Sequence, residues 1–185
     1  MKQDRTLRII GGKWRGRKVT FPNNDQIRPT GSRIRETVFN WLMHEITGAS
    51  CLDLYAGTGV LSMEALSRGA RHVTMIENDT ATVSEIEQNL HQLGADESSF
   101  QIKKAHTLDW LALCNQKFDV IFVDPPFANN ELMTVSRLIA SRHILEGYVY
   151  LESGRPIAVE QLPAQWKIHR QKSAGSVYYY LCITG

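Results

Sequence analysis

Cys51-Leu52-Asp53-Leu54-Tyr55-Ala56-Gly57-Thr58-Gly59 is the stretch on which the fold turns. A short apolar run ends in an acid, and a glycine turn then opens a helical pattern. Gly57 and Gly59 permit a tight turn and a close approach of backbone to a ligand. The stretch departs from the dinucleotide fingerprint, because the third glycine would fall at Ser62. A carboxylate at Asp53 would repel a pyrophosphate but suits an ammonium group, held directly or through water. Outward from this loop the pattern alternates. Strands are expected at 51–54, 72–76, 100–103, 118–123 and 147–152, and helices at 59–68, 79–93, 107–113 and 130–142. The buried face of 79–93 reads Val83, Ile86, Leu90 and Leu93. Apolar strands alternating with amphipathic helices imply a parallel sheet covered on both faces.

Glu77 ends the second of these strands, about 20 residues beyond the loop, where nucleotide-type folds place an acid on ribose hydroxyls. An acid before the loop, a glycine turn unsuited to pyrophosphate, and a ribose acid in register fit S-adenosylmethionine, which has an amino-acid end, a ribose and no phosphate. Asp53, Tyr55, Ala56, Gly57, Gly59 and Glu77 are the cofactor-binding candidates.

The most specific segment is Phe118-Asp119-Val120-Ile121-Phe122-Val123-Asp124-Pro125-Pro126-Phe127. A buried-type strand delivers Asp-Pro-Pro-Phe at its carboxyl end, where open α/β sheets place their sites. Proline fixes φ and leaves rigid carbonyls without competing donors. The exocyclic amine of a base has its lone pair delocalised into the ring. Asp124 and the Pro125 carbonyl are placed to accept the two N–H bonds and to aim that lone pair at a methyl sulfonium. Phe127 is placed to stack on an extruded base. Asp124, Pro125, Pro126 and Phe127 are the catalytic candidates.

The chain has 185 residues, 43% hydrophobic and 22% charged, which points to a globular protein of about one domain. Its three cysteines (Cys51, Cys114, Cys182) show neither disulfide nor zinc spacing, and none of the six histidines has metal-site spacing. The amino-terminal residues lack a signal-peptide pattern, and no apolar run is long enough to span a membrane. A cytoplasmic location is expected. Net charge is +2, but residues 1–35 hold ten Lys/Arg against two acids, a balance of +8, leaving −6 elsewhere. A basic segment on an acidic body points to a polyanionic partner. Within it, 6–10 and 17–21 read as the strands of a hairpin around Gly11-Gly12 and Gly16, followed by a loop at Pro22–Asp25. Thr30 or Ser32 is expected to cap a helix with an apolar face of Ile34, Val38, Trp41 and Leu42, ending near Gly48. Trp14 is read as the small core of the hairpin ahead of a stacking role. At the other end, 165–171 and 176–183 form an antiparallel pair around Ser173-Ala174-Gly175. That topology belongs to class I methyltransferases rather than to dehydrogenases.

The chain resembles the RsmD family of 16S rRNA guanine-966-N2 methyltransferases over nearly its whole length. The resemblance rests on the run Arg8 to Arg17, on Arg28-Pro29-Thr30, on the run Arg33 to Leu42, on the glycine loop, on Leu66-Ser67-Arg68-Gly69-Ala70, and on Asp-Pro-Pro-Phe. The amino-terminal blocks are the family-specific part. The resemblance implies a Rossmann-like α/β fold, a mostly parallel seven-stranded sheet with a C-terminal antiparallel hairpin. Residues 1–27 would be a basic β-hairpin extension and 28–185 the methyltransferase domain. It implies S-adenosylmethionine as donor, no metal, a monomer, and 16S rRNA in the 30S subunit as partner. Arg8, Lys13, Arg15, Arg17, Arg28, Arg33 and Arg35 are then the RNA-binding candidates. One departure stands out: where such enzymes place Asp or Asn on the adenine, this chain has Ala105-His106-Thr107. The competing readings are a DNA adenine or cytosine amino-methyltransferase, against which stands the lack of a separate target-recognition domain, and an rRNA-binding assembly factor without activity.

Overall fold

The computed structural model describes residues 5–21, 30–127 and 131–185. An antiparallel ribbon, β1 (Arg5–Arg8) and β2 (Lys18–Phe21), precedes helix α1 (Ser32–Trp41). The alternating region follows as β3 (Ser50–Asp53), α2 (Val60–Ser67), β4 (His72–Glu77), α3 (Thr80–Leu93), β5 (Phe100–Lys104), α4 (Thr107–Leu113), β6 (Phe118–Val123), α5 (Leu132–Arg142) and β7 (Leu145–Ser153). The hairpin β8 (Trp166–Ala174) and β9 (Val177–Thr184) closes the chain. Among the described residues, seven strands form one sheet in the order β5-β4-β3-β6-β7-β9-β8. β5, β4, β3, β6 and β7 are parallel, and β9 runs antiparallel to both β7 and β8. After β3 the chain builds outward to β4 and β5, then returns to lay β6 on the other side of β3. The switch point, where such sheets open a crevice at their carboxyl ends, therefore lies between β3 and β6.

All four residues of β3 are buried, as expected for a strand covered on both faces. Helix α3 begins where the Asp79 carboxylate accepts the Thr82 amide at 2.8 Å and ends at Gly94, which is left-handed at φ 69°. Its buried face differs from the apolar reading: Asn89 is buried, and Val83 is only half-buried. The Asn89 amide donates to the Thr20 carbonyl at 2.7 Å and accepts the Thr20 amide at 3.0 Å, so a polar residue there fastens β2 to the helix.

The ribbon is part of the body. Ile9, Trp14 and Val19 are buried in one hydrophobic cluster with residues of α1, α2 and α3. Trp14 is thus a core residue. All eight residues of α2 are buried, because the sheet covers one side and the ribbon the other. Gly11-Gly12 serves this docking: a Cβ on Gly12, itself at φ 74°, would lie 1.8 Å from the Ser67 carbonyl oxygen. Ser67 Oγ accepts the Trp14 amide at 2.9 Å and donates to the Gly11 carbonyl at 2.5 Å. At the centre Glu64, fully buried, accepts the Ile10 amide at 2.7 Å, the Gly11 amide at 3.3 Å, Arg35 Nη1 at 2.7 Å and Arg68 Nε at 3.3 Å.

Three boundaries move. Helix α1 ends at Trp41 and gives way to turns up to Gly48, rather than running to Gly48. Gly31, with no side-chain cap, precedes it in place of Thr30 or Ser32. Strand β8 extends through Ser173 and Ala174, so the turn is centred on Gly175 and Ser176; β8 is an edge strand with a largely exposed face, which hides it from a burial pattern. The expected loop at Pro22–Asp25 lies outside the described residues.

Glu64→Ala leaves the Arg35 guanidinium buried without its counter-charge. Urea denaturation should show a loss of roughly 3–5 kcal/mol, the scale for breaking one partner of a buried ion pair. A loss below about 1 kcal/mol would show that the ribbon is held without this carboxylate.

Candidate functional site

A cavity of about 1120 Å³ opens at the switch point. Its walls include Leu54 to Thr58 after β3, Glu77, Asn78 and Asp79 after β4, Ala105 to Asp109 after β5, Asp124 to Phe127 after β6, and Glu152 near the end of β7. Thr30, Gly31 and Ile34 lie on it from the start of α1, and Ala174 and Val177 from the last hairpin. The glycine loop and the Asp-Pro-Pro-Phe loop thus face one space.

Gly57 and Gly59 are both left-handed, at φ 50° and 71°, and Gly59 sits at the N-cap of α2. The Glu77 carboxylate organises the loop: Oε2 accepts the Gly57 amide at 2.9 Å, and Oε1 accepts the Asn78 and Asp79 amides at 2.8 and 2.9 Å. A carboxylate offers about four acceptor positions, so Glu77 keeps capacity for a hydroxyl. Tyr55 closes part of the wall, its hydroxyl donating to Glu131 Oε2 at 2.8 Å. His106 precedes α4 on the same wall, with Nδ1 3.5 Å from Asn78 Nδ2.

Asp53 is 1% exposed and stands behind the loop, off the cavity wall. Direct contact with a ligand is therefore not its geometry; its charge reaches the cavity through the loop or a bridging water. Oδ2 accepts the Ser62 hydroxyl at 2.7 Å, and Oδ1 has no hydrogen-bond partner. Ser62, which excluded the dinucleotide fingerprint, is thus the residue that holds Asp53. Burial pushes the Asp53 carboxyl up to about 6, against hydrogen bonds from the Ser62 hydroxyl and the Tyr55 amide. A buried acceptor with an open oxygen beside a glycine loop fits a cationic group of a ligand.

Asp124 is half-buried, and Thr30 Oγ1 donates to its Oδ2 at 3.2 Å. Its carboxyl is held well above the usual range, by burial first and by the neighbouring Glu152 second. Glu152 is 6% exposed, and its Oε2 accepts the Tyr150 hydroxyl at 2.6 Å. Pro125 is buried and Pro126 exposed. Phe127 is 43% exposed at the rim, not a core aromatic, and a Cβ on Gly154 would lie 3.0 Å from its ring. Among the described residues, no group of three or more His, Cys, Asp or Glu is arranged to hold a metal ion, and no helix is long and apolar enough to cross a membrane.

The basic candidates divide. Arg8, Lys13, Arg15 and Arg33 are exposed. Arg17 is exposed too, but its guanidinium donates to the carbonyls of Gln92 and Leu93 at the end of α3, at 3.1 Å for the latter. Arg35 is corrected: it is 1% exposed, bound to Glu64, and donates to the carbonyls of Thr30 and Arg8 at 3.2 and 3.0 Å. It is a structural cation that no phosphate reaches. Arg28 lies outside the described residues.

Thr30, Tyr150 and Glu152 were not legible as site residues. Glu152 left one signal, an acid at the carboxyl end of an apolar strand, where open sheets place function. Thr30 left none, because it meets Asp124 across 94 positions of sequence.

The family described as Conserved hypothetical protein 95 matches residues 7–183. Ribosomal RNA small subunit methyltransferase D of Escherichia coli (strain K12) is 41% identical over 177 residues, covering 95% of this chain and 88% of that protein. The protein of the same name from Haemophilus influenzae is 38% identical over 181 residues, covering 95% and 92%. A solved structure from Escherichia coli superposes with a TM-score of 0.87 at 39% identity, covering 97% of this chain and 98% of that one.

The raised Asp53 carboxyl gives a signed pH effect. The folded state holds this proton more tightly than the unfolded chain. The resulting stability is complete below pH 4 and is lost as pH rises through about 6. Asp53→Asn should remove that loss, making the variant more stable than wild type at pH 8, relative to pH 4, by up to about 3 kcal/mol. Parallel stability–pH curves for the two proteins would contradict the burial argument.

Proposed function

The chain belongs to the Conserved hypothetical protein 95 family, the RsmD family, and on that premise we propose that it transfers one methyl group from S-adenosylmethionine to the exocyclic N2 of guanine 966 of 16S rRNA. The substrate is the assembled or assembling 30S particle, the protein acts as a cytoplasmic monomer, and the reaction needs no metal. Residues 1–27 contribute RNA contacts, and 28–185 the transfer. One observation carries this reading: Asp-Pro-Pro-Phe and the glycine loop face a single cavity at the sheet's switch point.

The residues present fit the donor. Glu77 keeps acceptor capacity for ribose hydroxyls. The open Oδ1 of Asp53 lies behind Tyr55, Ala56, Gly57 and Gly59, where an amino-acid ammonium supplies the missing counter-charge through the loop or water. When bound, the donor supplies a methyl already activated on a sulfonium, so the protein's task is positioning and electrostatics. The Asp124 carboxylate and the Pro125 carbonyl accept the amine's hydrogens and orient its lone pair. Thr30 fixes the Asp124 rotamer. Phe127, exposed at the rim, stacks on the extruded base. Transfer of the methyl to the amine leaves a cationic N-methyl aminium, which is acidic and sheds its proton to solvent, so Asp124 need not act as a strong base. Arg8, Lys13, Arg15 and Arg33 hold phosphates, contacts that position RNA without reading its sequence.

The test is incubation with tritiated S-adenosylmethionine and 30S particles, naked 16S rRNA or duplex DNA, followed by identification of the modified nucleoside. N2-methylguanosine at one site in 30S is the expected product; methyladenine in DNA would replace this reading. Asp124→Ala should lower the single-turnover rate by roughly 10²–10³ while donor affinity holds. The pair Lys13→Glu with Arg15→Glu should weaken RNA binding and make its log–log salt dependence shallower by roughly 0.7–0.9 for each phosphate no longer held. An unchanged slope would make the ribbon's charge an ordinary solvated surface.

A further inference from the structure

An Asp-Pro-Pro-Phe loop accepts hydrogens from an exocyclic amine, and guanine, adenine and cytosine all present one. Something else in the pocket must choose the ring. The atom beside the amine distinguishes them: guanine offers an N1–H donor, whereas adenine N1 and cytosine N3 are acceptors. A selective pocket therefore needs a second acceptor next to the one that holds the amine.

The fold builds one. Strands β6 and β7 are parallel, and their pairing ends at Val123 opposite Leu151. The next residues, Asp124 and Glu152, emerge side by side at the carboxyl ends, and both line the cavity. Each is oriented by a separate hydroxyl, Thr30 for Asp124 at 3.2 Å and Tyr150 for Glu152 at 2.6 Å. Tyr150 is itself fully buried, edge-on to Phe122 with ring centroids 6.3 Å apart, so its hydroxyl is fixed by packing. The bond from Tyr150 does not exhaust a carboxylate, which has several acceptor positions.

We propose that Glu152 selects guanine by accepting its N1–H while Asp124 accepts a hydrogen of the adjacent N2 amine. The inference rests on the methylation reading above and names the residue that gives that site its base specificity. Two carboxylates at the mouths of adjacent strands repel one another in a partly desolvated pocket. A ring edge with two neighbouring donors relieves this repulsion. A ring that places a nitrogen lone pair against Glu152 adds to it. A site built to hydrogen-bond a donor rejects the analogue lacking it far more strongly than shape alone does, because the analogue sets a lone pair against a buried acceptor. Tyr150 is a positioning residue that acts through Glu152.

The experiment uses 30S particles reconstituted with 16S rRNA carrying either guanine or 2-aminopurine at the target position. 2-Aminopurine keeps the N2 amine but has an unprotonated N1. Methyl transfer from tritiated S-adenosylmethionine is read as kcat/KM on each particle. Wild type should favour guanine by roughly 100-fold or more. Glu152→Gln still accepts the Tyr150 hydrogen and can turn an amide N–H toward an unprotonated N1. It should cut the guanine to 2-aminopurine ratio by roughly tenfold or more, with the guanine rate falling. Tyr150→Phe should move the ratio the same way by a smaller factor. A change in ratio cancels the intrinsic difference between the two amines, and loss of a merely structural bond would lower both rates in parallel. A ratio unchanged in both folded variants, or a wild type that treats the two particles alike, overturns the proposal and leaves the methylation reading standing. A wild type that methylates neither particle overturns that reading, and this inference with it. If Glu152→Gln fails to fold, the wild-type ratio and Tyr150→Phe decide the matter.

Discussion

The Glu64 carboxylate, fully buried in the middle of α2, accepts hydrogen bonds from the ribbon, from α1 and from Arg68 just beyond its own helix. A charge removed from water is tolerated only when such donors surround it. The segments that carry those donors are therefore fixed relative to one another. The consequence runs into the site. Arg35, held by Glu64, donates to the Thr30 carbonyl, and the Thr30 hydroxyl donates to Asp124. Arg35 also donates to the Arg8 carbonyl in β1. The basic ribbon and the Asp124 carboxylate thus hang from one buried cation. Under the proposed function, RNA held by the ribbon is held in a fixed position relative to Asp124, which is what a reaction governed by orientation requires.

Around the cavity the fold accumulates negative charge at a cost. Of Asp53, Asp124 and Glu152, burial raises the proton affinity of the first two, and the charges of Glu152 and Asp53 add to that of Asp124. None of the three is needed to fill the core. Each lies at or next to the carboxyl end of a parallel strand, Asp124 and Glu152 on the wall of the cavity and Asp53 behind it. Destabilising electrostatics concentrated at one crevice is the pattern of a site organised for ligands rather than for stability.

The chain declares its architecture through local signals. Buried parallel strands must be apolar along their whole length, and the helices that cover them must carry a stripe, so the alternation from Cys51 to Ser153 is readable without coordinates. Gly57, Gly59 and the ordered tetrapeptide Asp124 to Phe127 are readable for the same reason, since backbone conformation demands those residue types in place. Arg35 misled because charge was counted without burial. Its partner Glu64 is 29 positions away, and nothing local marks a buried arginine from one that meets phosphate.

By itself, then, the sequence determined the class of fold, the two loops that face each other, and the basic character of the amino-terminal ribbon. Each of these follows from short-range periodicity, turn chemistry or composition. The tertiary structure alone decided that Asp53 lies behind the cofactor loop, that Gly11-Gly12 exists for docking against α2, and that Thr30 and Glu152 join Asp124. Those facts depend on pairings across the sheet and between layers, where residues far apart in the chain are brought within hydrogen-bond reach. Local propensity carries no record of such partners; only the packing of β6 against β7, and of the ribbon against α2, supplies them.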